Sequence, residues 1–329
     1  MVSALKSDFF GRFCHNRTFP ARYRAFHRTP PGLGAFWGDA VFVPAASFRP
    51  PAADHSGCSV LDCRHDRVLL ENLGSGGLSV WDPITGDLRR LLEAPDTFSL
   101  VCNGAVLCAA TAGAHCECDH LACHGGAFLV ALNGAWSALT SALIDNIYQL
   151  PPDYTTSCIT IDNVPAALMG NEPYFIGDFG NEILRCDLVG ENLAVVDPLD
   201  VETCYDGVVV MPEENGRLGF AFVKANNLHL WLMKTGPDGY GRWEKRRVID
   251  LETLFPILNL SPYLSGFVDA INCIVVTTDD ALYTIELKTL LTRKVCKTEK
   301  PYSYCCLYSS FYIPACASGI LAAPVAHGD

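Results

Sequence analysis

Hairpins of alternating apolar residues recur along this chain at intervals near fifty residues, and that spacing limits the possible folds more than any other feature. Val80, Val130, Leu184, Leu230 and Thr284 hold equivalent places in successive units, 50, 54, 46 and 54 residues apart. Each unit is a strand, a turn and a returning strand. Gly77 to Trp81 turns through Asp82-Pro83-Ile84-Thr85-Gly86 into Asp87 to Leu92; proline presets the first corner and glycine relieves the last. Phe128 to Leu132 turns at Asn133-Gly134, a strong hairpin signal, and returns through Trp136. Glu182 to Leu188, Leu228 to Met233 and Leu282 to Leu287 each turn and return in the same way. Helical patterning is scarce beyond the opening stretch, so the class is all-β. A repeat of roughly 40–50 residues built from strand hairpins marks a β-propeller; a solenoid has shorter units and a sandwich has no such period. Two β-rich stretches, Ala35 to Val43 and Tyr304 to Pro314, make no unit alone. Joined, they close the ring and remove its open edges. Five internal units and one composite predict six blades from Ala35 to Pro314, after a short helix around Pro20 to His27. The organisation is therefore an N-terminal segment, 1–34, and a propeller, 35–329.

With 329 residues, half of them hydrophobic, the chain can bury one such core. Its net charge of −12 is unevenly spread: residues 1–35 carry +5 and the remainder −17. An acidic body argues against nucleic acid as the main ligand, and the basic start reads as a solvated helix face, with a dock onto an acidic partner as the alternative. No run reaches the roughly 18 to 20 apolar residues of a membrane span; Ile271 to Val276 is cut off by Asp279-Asp280. Lys6, Asp8 and Arg12 interrupt the apolar core that a signal peptide needs. The expected location is cytoplasmic or nuclear, not secreted, with no membrane association. Sixteen cysteines then read as reduced thiols acting as small buried hydrophobes rather than as a disulfide scaffold. The sequon Asn16-Arg17-Thr18 has no meaning without secretion.

Four phrases carry a resemblance. They are Arg22-Tyr23-Arg24-Ala25-Phe26-His27-Arg28-Thr29-Pro30-Pro31, Leu61-Asp62-Cys63-Arg64-His65, Gly77-Leu78-Ser79-Val80-Trp81-Asp82-Pro83-Ile84-Thr85-Gly86, and Cys118-Asp119-His120-Leu121-Ala122-Cys123-His124-Gly125-Gly126. In order and spacing they resemble the grass-type plant F-box protein family, whose C-terminal F-box-associated domain is a β-propeller. The resemblance runs from about Arg22 to about Pro314. It implies a protein-binding module, the substrate-recognition part of an SCF-type E3 ubiquitin ligase adaptor, with a protein target and a Skp-family adaptor as partners. Two departures stand out. Met1 to Pro20 does not read as an F-box, so docking to the Skp-family adaptor is expected to be defective. The family also places a longer stretch with its own strand between the equivalents of Leu132 and Asn133, which abut here, so the second blade is expected to be shortened.

Two clusters invite a chemical reading. His115-Cys116-Glu117-Cys118-Asp119-His120-Leu121-Ala122-Cys123-His124 packs soft ligands into one short segment. Those spacings strain a single tetrahedral zinc site, and no second paired unit lies nearby. It is read as a loop, with a metal site or a redox-sensitive thiol pair as alternatives. Asp62-Cys63-Arg64-His65-Asp66-Arg67 looks catalytic but leads straight into Val68-Leu69-Leu70, so it is read as the start of a strand with a satisfied histidine. Gly74-Ser75-Gly76-Gly77 is a turn, not a phosphate loop, and no nucleophile elbow, dinucleotide fingerprint or metalloprotease motif is present. The expectation is a non-enzyme with no catalytic, cofactor-binding or metal residues and no cofactor. The alternatives are a propeller-fold enzyme using the Cys/His loop, or a non-functional truncated isoform. Trp81, Trp136 and Trp243 follow the repeat and read as structural; Trp37 and Trp231 have no evident role.

Overall fold

The computed structural model describes residues 32–45, 47–51, 55–92, 103–108, 128–133, 147–149, 164–169, 172–177, 182–187, 192–196, 207–213, 216–235, 241–255, 262–268, 271–297 and 304–310. Their strands form six sheets. The closing sheet, in the order β2-β1-β22, joins β1 (Gly32–Trp37) and β2 (Phe42–Pro44) to β22 (Cys305–Ser309). The first sheet is β3 (Cys58–Arg64), β4 (Arg67–Asn72), β5 (Leu78–Trp81) and β6 (Leu88–Leu92). The second is β7 (Asn103–Cys108), β8 (Phe128–Asn133) and β9 (Ile147–Gln149). The third is β10 (Ala167–Met169), β11 (Glu172–Gly177), β12 (Glu182–Asp187) and β13 (Asn192–Val196). The fourth is β14 (Val208–Pro212), β15 (Leu218–Lys224), β16 (Asn227–Thr235) and β17 (Gly241–Asp250), and the fifth is β18 (Tyr263–Val268), β19 (Cys273–Thr277), β20 (Ala281–Glu286) and β21 (Thr292–Lys297).

Apolar cores lie between successive sheets, which makes the arrangement a β-propeller. Phe36, Val60, Val68, Leu70, Trp81 and Tyr308 fill the space between the closing and first sheets. Ile176, Ile183, Val210 and Phe220 do so between the third and fourth. Val209, Leu228, Leu230, Ile274, Val276 and Ile285 do so between the fourth and fifth, and Ala35, Trp37, Val275, Leu282 and Leu307 between the fifth and closing sheets. Middle strands are therefore covered on both faces and read as continuous apolar runs: Val68, Leu69 and Leu70 are all buried. Each such side chain contributes about 1.5–3 kcal/mol. Trp37, without a role in the sequence reading, is a core residue of the fifth-to-closing interface.

The ring closes as expected. Gly34, Ala35, Phe36 and Trp37 pair antiparallel with Tyr308, Leu307, Cys306 and Cys305, so the two ends of the propeller share one sheet. A Cβ on Gly34 would lie 2.4 Å from the Phe42 ring, so only glycine lets β2 approach here. The turn of the first sheet also forms as read. The Asp82 carboxylate accepts from the amides of Ile84 (2.8 Å) and Thr85 (3.2 Å), and Gly86 takes φ +83°. The fifth sheet repeats this turn between Glu286 and Leu291, with Leu290 at φ 59° in the place of Gly86.

Four expectations need correction or lie outside the described residues. Five sheets are antiparallel throughout, but the second is not: β9 runs parallel to β8, pairing Ile147, Tyr148 and Gln149 with Val130, Ala131 and Leu132. Both edges of β8 are filled, by β7 and β9, and the return expected through Trp136 lies outside the described residues. A parallel pairing needs a long connection, and the segment 134–146 supplies one. Among the described residues the regular antiparallel blades number five, not the six expected. Val130 also sits on the middle strand of three, whereas Val80, Leu184, Leu230 and Thr284 lie on the third strand of four. The short helix expected around Pro20 to His27 lies outside the described residues.

Phe36 tests the closure. Its ring meets Phe42 at 4.7 Å, Trp81 at 5.7 Å and Tyr308 at 5.9 Å. Phe36→Ala is expected to cost about 3–5 kcal/mol in urea unfolding. A loss below about 1 kcal/mol would show that the two ends do not close the core.

Candidate functional site

The acidic and basic residues from Asp62 to Arg67 bend around one hairpin. His65 and Asp66 both take positive φ, 53° and 62°, which makes the two-residue turn whose twist suits antiparallel strands. Just before it, Val60 pairs with Leu70 and Asp62 with Leu69, so Leu61 is an extra residue in β3. That bulge reverses the alternation of side chains. Val60 faces the closing sheet, and Asp62, two residues on, faces the second sheet instead.

There Asp62 is 1% exposed. Its Oδ2 accepts the Val106 amide at 2.7 Å, and Arg64 Nε lies 2.8 Å from the same oxygen and donates to Oδ1 at 3.1 Å. Arg64 Nη2 donates in turn to the Ala166 carbonyl, just ahead of β10. Close by, Asn103 Nδ2 donates to the Val164 carbonyl at 2.7 Å. One carboxylate thus ties the first sheet to the second, and its arginine ties the first to the third. Burial pushes the Asp62 carboxyl above its ordinary range, while Arg64 and the Val106 amide pull it back. Both oxygens are engaged and shielded from solvent, so the group is a structural clamp and has no free face for proton transfer.

Thiols surround the clamp. Cys63 and Cys306 sit in the core between the closing and first sheets, and Cys305 in the core between the closing and fifth. A small cavity of about 100 Å³ is lined by Phe36, Val60, Tyr304, Cys305 and Cys306. Burial raises the pKa of Cys63, Cys305 and Cys306, and pushes Cys273 and Cys296 up to about 11. All of these thiols are free. They stay protonated at neutral pH and are poor nucleophiles and ligands. Among the described residues no group of three or more His, Cys, Asp or Glu could hold a metal ion. The Cys/His segment from His115 to His124 lies outside the described residues.

Two other features escaped the sequence reading. Trp231 stacks on Phe220 at 6.1 Å, with Lys245 Nζ 5.5 Å above its ring, in the interface of the third and fourth sheets. A larger surface cleft, about 410 Å³, opens between the fourth and fifth sheets, lined by Met211, Leu230, Arg246, Arg247, Leu287 and Lys288 among others.

No protein-family model and no curated protein matches the chain. Among solved structures, it is similar to the extracellular domain of a hybrid two-component system from B. thetaiotaomicron, at 11% identity and TM-score 0.38, over 76% of this chain and 29% of that one. It is similar to the WD40 domain of SCAP from fission yeast, at 12% identity and TM-score 0.38, over 74% of this chain and 52% of that one. It is similar also to YCF48 bound to D1 peptide, at 10% identity and TM-score 0.40, over 81% and 82%. The chain spans less than two thirds of the first two.

The clamp and the thiols generate separate tests. Asp62→Ala leaves the Arg64 charge, 12% exposed, without its partner, and is expected to cost about 3–5 kcal/mol. Asp62→Leu combined with Arg64→Met is expected to cost less than the single change; an additive or larger loss would contradict the clamp. For the thiols, the native state keeps protons that the unfolded chain gives up near its ordinary value of 9.0. Stability should therefore fall as pH rises from about 9 to about 11. Alkylation at neutral pH, mapped by mass spectrometry, should leave Cys63, Cys305 and Cys306 unmodified until denaturant is added.

Proposed function

We propose that this chain is a protein-binding module of the kind its sequence phrases imply: the target-recognition part of an SCF-type E3 ubiquitin ligase adaptor, resembling the grass-type plant F-box family. One observation carries the reading. Two of the four phrases behind the resemblance fall on described residues, and both build the ring; the other two lie outside the described residues. Leu61 to His65 makes the β3 bulge, the Asp62 clamp and the tight turn, and Gly77 to Gly86 makes β5 and the Asp82 turn. A family signature that specifies the scaffold leaves its loops free to vary, and a rigid ring presenting loops suits recognition of a protein surface. The likeness of fold to other propellers is compatible with this role and does not single out a partner. On the same reading the ring has six positions, with β7, β8 and β9 as a shortened second blade. The protein works in the cytoplasm or nucleus and is not an enzyme.

In the family, F-box helices bury apolar side chains in the Skp-family groove. Residues 1–20 do not read as an F-box, so this stretch by itself is not expected to fill that groove. The basic residues from Arg12 to Arg28 would speed an encounter with an acidic adaptor more than they would tighten it.

Calorimetry with a plant Skp-family protein tests the proposal in two arms. The chain of 329 residues is expected to bind weakly or not at all. A chimera carrying a complete family F-box ahead of Arg22 is expected to bind with sub-micromolar affinity. Sub-micromolar binding by the chain itself, lost on deleting residues 1–28, would overturn the docking defect. A folded chimera that does not bind would count against the family role.

A further inference from the structure

The cleft between the fourth and fifth sheets stands out when the repeats are compared. In three sheets the outer strand carries a bulge opposite the third strand. In β6 the extra residue is Leu91, followed by Leu92 opposite Leu78; in β21 it is Val295, followed by Cys296 opposite Leu282. In β17 it is Arg246, followed by Arg247 opposite Leu230. The first and fifth sheets have apolar residues at their bulges: Leu91 is 6% exposed, Cys296 is 9% exposed, and Val295 packs on the fifth-to-closing core. In the fourth sheet the residue opposite Leu228 is the buried Ile249, and the bulge lies two residues farther along the third strand, where it carries two exposed arginines beside the cleft.

The bulge also aims these side chains. On a regular strand, neighbours point to opposite faces. Trp243, ahead of the bulge, packs between the third and fourth sheets; Ile249, six residues on, packs between the fourth and fifth. The reversal lets Arg246 and Arg247 line one cleft together. Its apolar wall is Met211, Leu230, Leu232 and Leu287, and Lys288 adds a third cation. The one carboxylate in the lining, Glu213, is held by Arg217, whose Nε donates to it at 2.9 Å; Arg246 stands 4.0 Å away. Among the described residues the Arg247 side chain makes no hydrogen bond or ion pair. This cationic corner belongs to a body that carries −17 beyond residue 35.

We infer that the cleft bounded by Arg246, Arg247 and Lys288 docks an extended acidic peptide segment of a protein partner, with carboxylates on the basic rim and aliphatic side chains on the apolar wall. Carboxylates pair with arginine through charge-assisted hydrogen bonds, often two at once. Met211, Leu230 and Leu287 give the intervening side chains apolar surface to cover. The cleft opens beside β17, the outermost strand of its sheet, so an extended segment can lie along that edge, the geometry of strand addition. The inference rests on the protein-binding reading above and supplies its site.

The test is fluorescence anisotropy with a labelled decapeptide of alternating Glu and Leu. Saturable binding is expected, weakened about tenfold or more by Arg246→Glu with Arg247→Glu, and weakened again when salt rises from about 50 to about 500 mM. Lys288→Glu should act in the same direction. The substituted sites are exposed, so the unfolding midpoint of each variant should match that of the parent. Replacing Leu by Ser in the peptide should cost about tenfold or more, and replacing Glu by Lys should abolish binding. Equal binding by the parent and the charge-reversed variant overturns the site. Octanoate binding as tightly as the peptide, and displacing it, assigns the cleft to a small amphipathic anion and overturns the peptide docking. Neither outcome bears on the calorimetry with the Skp-family protein, so failure here and failure of the family role are read separately.

Discussion

Asp62 accepts the Val106 amide and pairs with Arg64 beside the smallest internal sheet of the ring, and the integrity of that part of the propeller depends on this contact. The first sheet has four strands and shares an apolar core with the closing sheet; the second has three strands, one of them parallel. The second sheet buries Ala105, Val106 and Leu107 and gains further support from polar bonds. Asp62 holds its β7 strand from one side, and Asn103 reaches from that strand to Val164 on the other. The arrangement has a cost, because burial disfavours the charged carboxylate. It is supportable because Arg64 and the amide satisfy both oxygens.

Bulges make the clamp and the cleft from one device. A single extra residue, Leu61 in β3 or Arg246 in β17, reverses which face the following side chains meet. In β3 the reversal sends a carboxylate inward to the neighbouring sheet. In β17 it gathers two arginines at an open corner. The same ring therefore holds a buried polar lock and an exposed polar cleft, and only the neighbours of the redirected side chain differ. The lock provides rigidity, and the cleft provides a surface on which a partner's chemistry can be read.

Much of this was legible in the sequence. The fifty-residue period, the Asp82 turn and the joining of the two ends all follow from alternation and turn chemistry, which are local signals. The clamp was hidden because Asp62 and Arg64 touch residues 44 and 102 positions away, and no local pattern encodes that. The turn at His65 and Asp66 was hidden because it takes positive φ without glycine, so the segment read as the start of a strand. The parallel pairing of β9 with β8 was hidden as well, because the local signal at Asn133-Gly134 is for an antiparallel return, and a pairing between residues 130–132 and 147–149 is not a local pattern. The role of Arg246 and Arg247 depends on register, and a bulge cannot be read from a run of charged residues.

Hydrogen exchange at the Val106 amide tests the clamp most directly. That amide points away from β8 to the Asp62 carboxylate, so its protection comes from the clamp and not from a sheet ladder. The account predicts protection equal to that of ladder amides in β15 of the fourth sheet, released only when the whole ring unfolds. Exchange at Val106 that is faster by orders of magnitude than at those amides would mean that the second sheet opens on its own, and that Asp62 does not hold the ring together.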